Sequence, residues 1–160
     1  MIRALIGTVA VLAGFAVVER SVDASTGQRG SCTPTDAYAL LPQGETVPVR
    51  AEPTLESAAT GALQSRTVVS VFGGQGGWAR IAVGTQPYGW VQADRLGVHA
   101  RSGSALYSRP GPLGQKLTTL DGDTANFRLL GCRGSWLQVI DARNGVVWID
   151  KGRPPWSVMI

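Results

Sequence analysis

The stretch GGWARIAVGTQPYGW, residues 76–90, places a Gly-Trp pair at each end of one short polar–apolar alternation. Successive side chains of a strand point to opposite faces. WARIAV therefore sets Trp78, Arg80 and Ala82 on one side and Ala79, Ile81 and Val83 on the other. The second set is uniformly apolar and is expected to face a core. Gly84 and the polar residues after it mark a turn, so YGWVQ reads as the returning strand. In it Tyr88, Trp90 and Gln92 share a face, and Val91 is expected inward.

Sliding the chain by 58 residues superposes this stretch on GSWLQVIDARNGVVW, residues 134–148. Trp78 falls on Trp136, Ile81 on Val139, Trp90 on Trp148 and Val91 on Ile149, and Gly73 falls on Gly131. Further upstream the offset becomes 57, where VRAEP (49–53) meets LYSRP (106–110). Two matched tryptophan pairs at one offset mark a tandem repeat of two units, which suits paired small domains and is too short for a solenoid. Short strands are expected at 47–50, 67–72, 78–83 and 88–92, then at 105–108, 127–131, 136–141 and 146–149. No stretch after residue 24 keeps a helical period for three turns. Units of this size need a compact solution that hides strand edges. The expectation is an all-β chain of two tandem, small, partly open barrels, over 46–98 and 99–160, after a flexible lead at 25–45.

Leu137 and Val139 are expected inward, which leaves Trp136 and Gln138 on the outer parity. All four repeat tryptophans then share a side with Arg, Gln or Asp, the wrong side for simple core filling. Two readings remain open at this point. The rings are binding platforms, or they cover the open ends of the barrels as buried Trp often does. A strict two-residue turn at Asn144-Gly145 would also set Trp148 opposite Asp141, on the Leu137 side, so the outer placement needs a bulge or a longer loop.

Residues 1–24 carry a basic head (MIR), fifteen uncharged residues from Ala4 to Val18, and small residues at Val22 and Ala24. That run suits a signal peptide cleaved after Ala24 and falls short of the ~20 residues of a spanning helix. An uncleaved anchor is the alternative; either places the remainder outside the cytoplasm, secreted or periplasmic. The two cysteines, Cys32 and Cys132, are expected to pair there, in preference to two free thiols. The net charge of +4 is mild and lacks any dense Lys/Arg cluster, so nucleic acid is not an expected partner.

Val-Arg-x-x-Pro, an apolar strand, GGWARI and YGWV together resemble the bacterial SH3-type domain. The first unit covers that frame, and the second keeps LYSRPG, GCRGSWLQV and VVWID. The second departs at Ser135 and Val147, which precede its tryptophans where glycine is usual. The resemblance implies five-to-six-stranded barrels without catalytic activity, used in exported proteins for wall targeting or protein binding. It also implies that Trp78 and Trp90, and then Trp136 and Trp148, line the ligand groove. With their strand neighbours, the expected ligand-binding set is Trp78, Arg80, Tyr88, Trp90, Trp136, Gln138 and Trp148.

Catalysis is not expected. His99 is the only histidine and reads as part of a linker, a poor base for Cys132. One His and two distant Cys lack zinc spacing, and LDGDT lacks the later acidic ligand of a calcium loop, so neither metal nor cofactor is expected. The expected function is a non-enzymatic module that recognises peptidoglycan, mainly its peptide part. The alternative is an envelope scaffold or accessory subunit that binds another periplasmic protein.

Overall fold

The computed structural model describes residues 30–84, 86–122 and 125–152. The expected signal peptide, its cleavage site and residues 153–160 lie outside that set. Among the described residues, twelve strands run in chain order: β1 (Gly30–Ala39), β2 (Thr46–Arg50), β3 (Ala59–Gln64), β4 (Val68–Gln75), β5 (Trp78–Val83), β6 (Gln86–Gln92), β7 (Leu96–Ala100), β8 (Ala105–Tyr107), β9 (Lys116–Thr119), β10 (Ala125–Arg133), β11 (Trp136–Asp141) and β12 (Gly145–Asp150). One 3-10 turn, Ala93–Arg95, leads from β6 into β7. The all-β expectation holds.

The strands form one sheet in the order β3-β2-β6-β5-β4-β1-β7-β10-β11-β12-β8-β9, open at both ends. Taken from either end to the middle, its two halves repeat the same order. The register repeats as well. Arg80 pairs with Trp90, and Gln138 with Trp148, so moving both partners by 58 residues converts one ladder into the other. Both β4–β5 and β10–β11 carry a bulge at equivalent places, between Val71 and Gly73 and between Leu129 and Gly131. In β2–β3 and β8–β9 the offset is 57: Val49 pairs with Gly61, and Leu106 with Thr118. The change of offset seen in the sequence is therefore a change in the loops between strands.

Strand β1 corrects one expectation. Ten residues of the presumed flexible lead, 25–45, form a strand inserted between β4 and β7. Thr35, Ala37 and Ala39 point into the core on alternate positions, and the small alanines give this strand little of the bulky period that advertises a strand. His99 also lies in a strand, β7, where a linker was expected. It occupies the place in the second half that Tyr38 occupies in the first: Tyr38 pairs with Val68 and His99 with Asn126.

At the join of the halves, β1 and β7 pair antiparallel through Ala37–Val98, Tyr38–Gly97 and Ala39–Leu96. Ala37 and Val98 hold equivalent positions, so a local two-fold relation passes between them. Tyr38 and His99 stack across it with ring centres 4.9 Å apart. A disulfide between Cys32 and Cys132 ties β1 to β10, with the Cα atoms 5.9 Å apart. Beside it, the Thr33 amide donates to the Gly134 carbonyl (2.8 Å), and the Gly134 amide donates to Ser31 (3.1 Å). Closing a loop of about 100 residues removes denatured-state entropy worth roughly 4–5 kcal/mol in the chain model.

The core is one continuous apolar cluster through both halves. It holds Val49, Leu63, Val71, Ala79, Ile81 and Val91 on one side, and Leu106, Leu129, Leu137, Val139 and Ile149 on the other. Leu96, Val98, Ala37 and Ala39 join them. Val83 departs from the expected core face, being 44% exposed, because it stands at the hairpin tip opposite Gln86, beyond the last buried layer.

Candidate ligand-binding faces

On the first half, the outer face is assembled by β5, β6 and β2. Pairing sets Trp78 opposite Gln92, Arg80 opposite Trp90, and Trp90 opposite Arg50. A bulge at Tyr88, between the Ala82–Pro87 and Ile81–Gly89 pairs, brings Trp90 to this side. Gly89 makes the strand approach possible: at φ 144° it lies so close to β2 that a Cβ would meet the Arg50 carbonyl oxygen at 2.7 Å and Val49 Cγ1 at 2.8 Å.

Arg80 lies over the aromatic rings of this face. The Arg80 guanidinium carbon lies 5.3 Å from the Phe72 ring centre and 5.9 Å from that of Trp90. Both distances suit cation–π contact. With this cover, Trp90 is only 7% exposed, which corrects its reading as an outward platform. Trp78 is half-buried and Arg80 exposed. Tyr88 is half-buried against the core, and its hydroxyl sits where a Gly61 Cβ would be. It is thus a packing residue over β3 with a limited outer surface. Arg50 turns into the 51–58 loop, where its Nη1 donates to the Ser57 carbonyl at 2.6 Å. In that loop the Thr54 hydroxyl donates to the Glu56 carboxylate (2.8 Å), and this bond, with the Glu56 amide and the Arg50 charge, holds the carboxyl below its ordinary range.

The equivalent face of the second half is more open. Trp136, Gln138 and Trp148 are all half-buried. The loop Ala142–Asn144 has three residues, so Asp141 pairs with Gly145 and Gln138 with Trp148. That restores the outer placement of Trp148 which a two-residue turn would have reversed. Asp141 Oδ2 holds the loop, accepting from the Asn144 amide (2.8 Å), the Asn144 side chain (2.7 Å) and the Arg143 amide (3.1 Å). Burial pushes the Asp141 pKa up, but the Asn144 and Arg143 hydrogen bonds and the Arg143 charge outweigh it, so the net shift is downward.

Sequence reasoning missed Tyr107. It pairs with Trp148 across β8–β12 and meets Trp136 edge-on, with centres 5.2 Å apart and planes at 83°. Its signal was present: at an offset of 57 it is the counterpart of Arg50 in VRAEP. Ser135, one of the departures from the family frame, is accommodated by its hydroxyl donating to Asp150 Oδ1 at 2.8 Å. The backbone bond at this place is kept: Ala93 N–H donates to Gly77 O, and Lys151 N–H to Ser135 O, both at 2.8 Å.

Two concavities lie away from these faces. One of about 560 Å³ follows the join past Tyr38, His99, Val68 and Arg66. Another of about 580 Å³ runs between β9 and the β11–β12 hairpin. Among the described residues no group of three or more His, Cys, Asp or Glu side chains is placed to hold a metal ion. The Cys132 sulfur is bonded to Cys32, so it offers no thiolate. No helix among the described residues is long and apolar enough to cross a membrane.

Residues 45–97 match the family model of the bacterial SH3 domain. They span β2 to β6, the 3-10 turn and the start of β7. Among solved structures the chain is similar to NlpC2 from Trichomonas vaginalis, at 19% identity and TM-score 0.35, covering 74% of this chain and 46% of that one. It is similar also to NlpC1 from the same organism, at 18% identity and TM-score 0.36, covering 79% and 47%. The chain thus spans about half the length of each. At these scores the likeness is too loose to transfer an activity. No curated protein matches the chain.

Proposed function

We propose that this protein is a non-catalytic, exported module that binds peptidoglycan through the two equivalent tryptophan-bearing faces. The bacterial SH3 domain at 45–97 carries the reading, because such domains are generally wall-binding modules. The second half supports it by repeating the strand order and register of that domain and by presenting Trp136 and Trp148 at the places of Trp78 and Trp90. The disulfide supports an oxidising compartment outside the cytoplasm, in line with the apolar N-terminal run. An aromatic ring beside polar strand neighbours can stack on apolar parts of a ligand while amide and guanidinium groups fix its polar parts.

The test is co-sedimentation of the purified oxidised protein with purified sacculi, with soluble muropeptides as competitor. Retention that the muropeptides reverse supports the reading. A protein that stays in the supernatant at every sacculus concentration overturns it.

A further inference from the structure

Arg80 is laid over the first face with its donors unclaimed. Its stem crosses β4 at Gly73, where a Cβ would stand 3.3 Å from Arg80 Cβ and 3.8 Å from Arg80 Cδ. The guanidinium carbon then lies 5.3 Å from the Phe72 ring centre and 5.9 Å from that of Trp90. Cation–π contact supplies no hydrogen-bond acceptor, so it leaves the five N–H donors of the group unmet. Among the described residues the Arg80 side chain makes no hydrogen bond and no ion pair. The charges bordering it are held elsewhere. Arg50, opposite Trp90 on β2, donates to the Ser57 carbonyl. Glu56 accepts from the Thr54 hydroxyl and stands within reach of the Arg50 charge. Glu52 shares that loop and Asp94 follows β6 beyond Gln92, and neither pairs with Arg80.

We propose that Arg80 is the anion-binding residue of the first face and that its ligand is the free carboxylate of a peptide. The inference rests on the wall-binding reading and names the group of the polymer this face receives. A carboxylate meets a guanidinium through two parallel, charge-assisted hydrogen bonds, a geometry that a point cation lacks. The two rings fix the guanidinium before the ligand arrives, so less side-chain freedom is lost on binding. Trp78, on the same side of β5 two residues before Arg80, is half-buried. Its remaining ring surface is placed to pack on the apolar part of the residue that carries the carboxylate.

The probes are N-acetyl-alanyl-alanine, in all-L and all-D forms, and the same dipeptides amidated at the C-terminus. Acid and amide then differ by one charge. The full oxidised protein is titrated, and binding is read in NMR at the Arg80 Nε–H and the Trp78 and Trp90 indole N–H signals, assigned by single substitutions. The second face has cations of its own, Arg133 opposite Trp136 and Lys116 opposite Tyr107, so only the first-face signals count. At least one acid form is expected to move them, to bind about tenfold or more tighter than its amide, and to weaken as salt is raised. Arg80→Gln, shown by circular dichroism to be folded, is expected to bring acid and amide within about twofold of each other. Arg80→Lys, which keeps the charge and loses the fork, is expected to fall between Arg80→Gln and the wild type. An acid that leaves these signals unmoved, or binds no tighter than its amide, overturns the proposal. So does an acid preference that survives Arg80→Gln, or inorganic phosphate binding more tightly than the acid at the same signals. If sacculi retain the wild type in any of those cases, only this proposal falls. Acid preference in a protein that sacculi do not retain removes the wall reading and leaves the carboxylate site.

Discussion

The guanidinium of Arg80 lies 5.9 Å from the centre of the Trp90 ring, and Trp90 is 7% exposed beneath it, although Trp148 at the equivalent place is half-exposed. Arg80, on the neighbouring strand, is a side chain laid over this tryptophan. Arg80→Gln is expected to expose Trp90, moving its indole N–H signal and raising its access to a soluble quencher. The stability loss should be small, about 0.5–1 kcal/mol, because the cation–π contact is exposed to solvent. An unchanged Trp90 signal would show that other groups bury the ring.

The disulfide holds together halves whose direct ladder, β1 to β7, has three residue pairs. Replacing both Cys32 and Cys132 by Ala is expected to lower the unfolding free energy by roughly 3–5 kcal/mol, the range for so long a closed loop. Denaturant unfolding monitored by circular dichroism measures it. A loss below about 1 kcal/mol would mean that the apolar join alone fixes the halves.

Gly89 and Gly84 both have positive φ, at 144° and 62°, but only Gly89 is crowded. Gly84→Ala should cost about 1 kcal/mol, the usual penalty of a left-handed residue with a Cβ. Gly89→Ala must in addition push β6 from the Arg50 carbonyl and Val49, and should cost roughly 2–4 kcal/mol. Equal thermal shifts for the two variants would contradict the close approach of β2 and β6.

How much of this could be read from the chain follows from the range of each signal. WARIAV announced its own faces because a strand's alternation is local, and Ala79, Ile81 and Val91 are buried as expected. The repeat was legible because tryptophan is rare and its spacing is kept. Strand β1 was not, since its core positions are largely small and its place is set by β4 and β7, far away in sequence. The cover over Trp90 depends on Arg80 and on Phe72 at a bulge, two strands apart from β6, which no parity argument supplies. Tyr107 was hidden because its counterpart, Arg50, is not aromatic.

Asp141 gives a pH dependence with a definite sign. Its pKa in the folded protein lies below its ordinary 3.8, because the hydrogen bonds from Asn144 and Arg143 outweigh partial burial. The stabilisation is therefore fully present above the ordinary value and is lost as pH falls through the folded one. Asp141→Asn is expected to flatten the acid limb of the melting temperature between about pH 5 and pH 2. An acid limb identical to that of the wild type would exclude this carboxylate as a contributor.

The central claim is that the equivalent faces carrying Trp78 and Trp136 bind the wall. The most direct measurement is co-sedimentation with purified sacculi of wild type, Trp78→Ala, Trp136→Ala and the double variant, each first shown by circular dichroism to be folded. The account predicts reduced retention for each single variant and near-complete loss for the double one. Retention of the folded double variant equal to that of the wild type would contradict it.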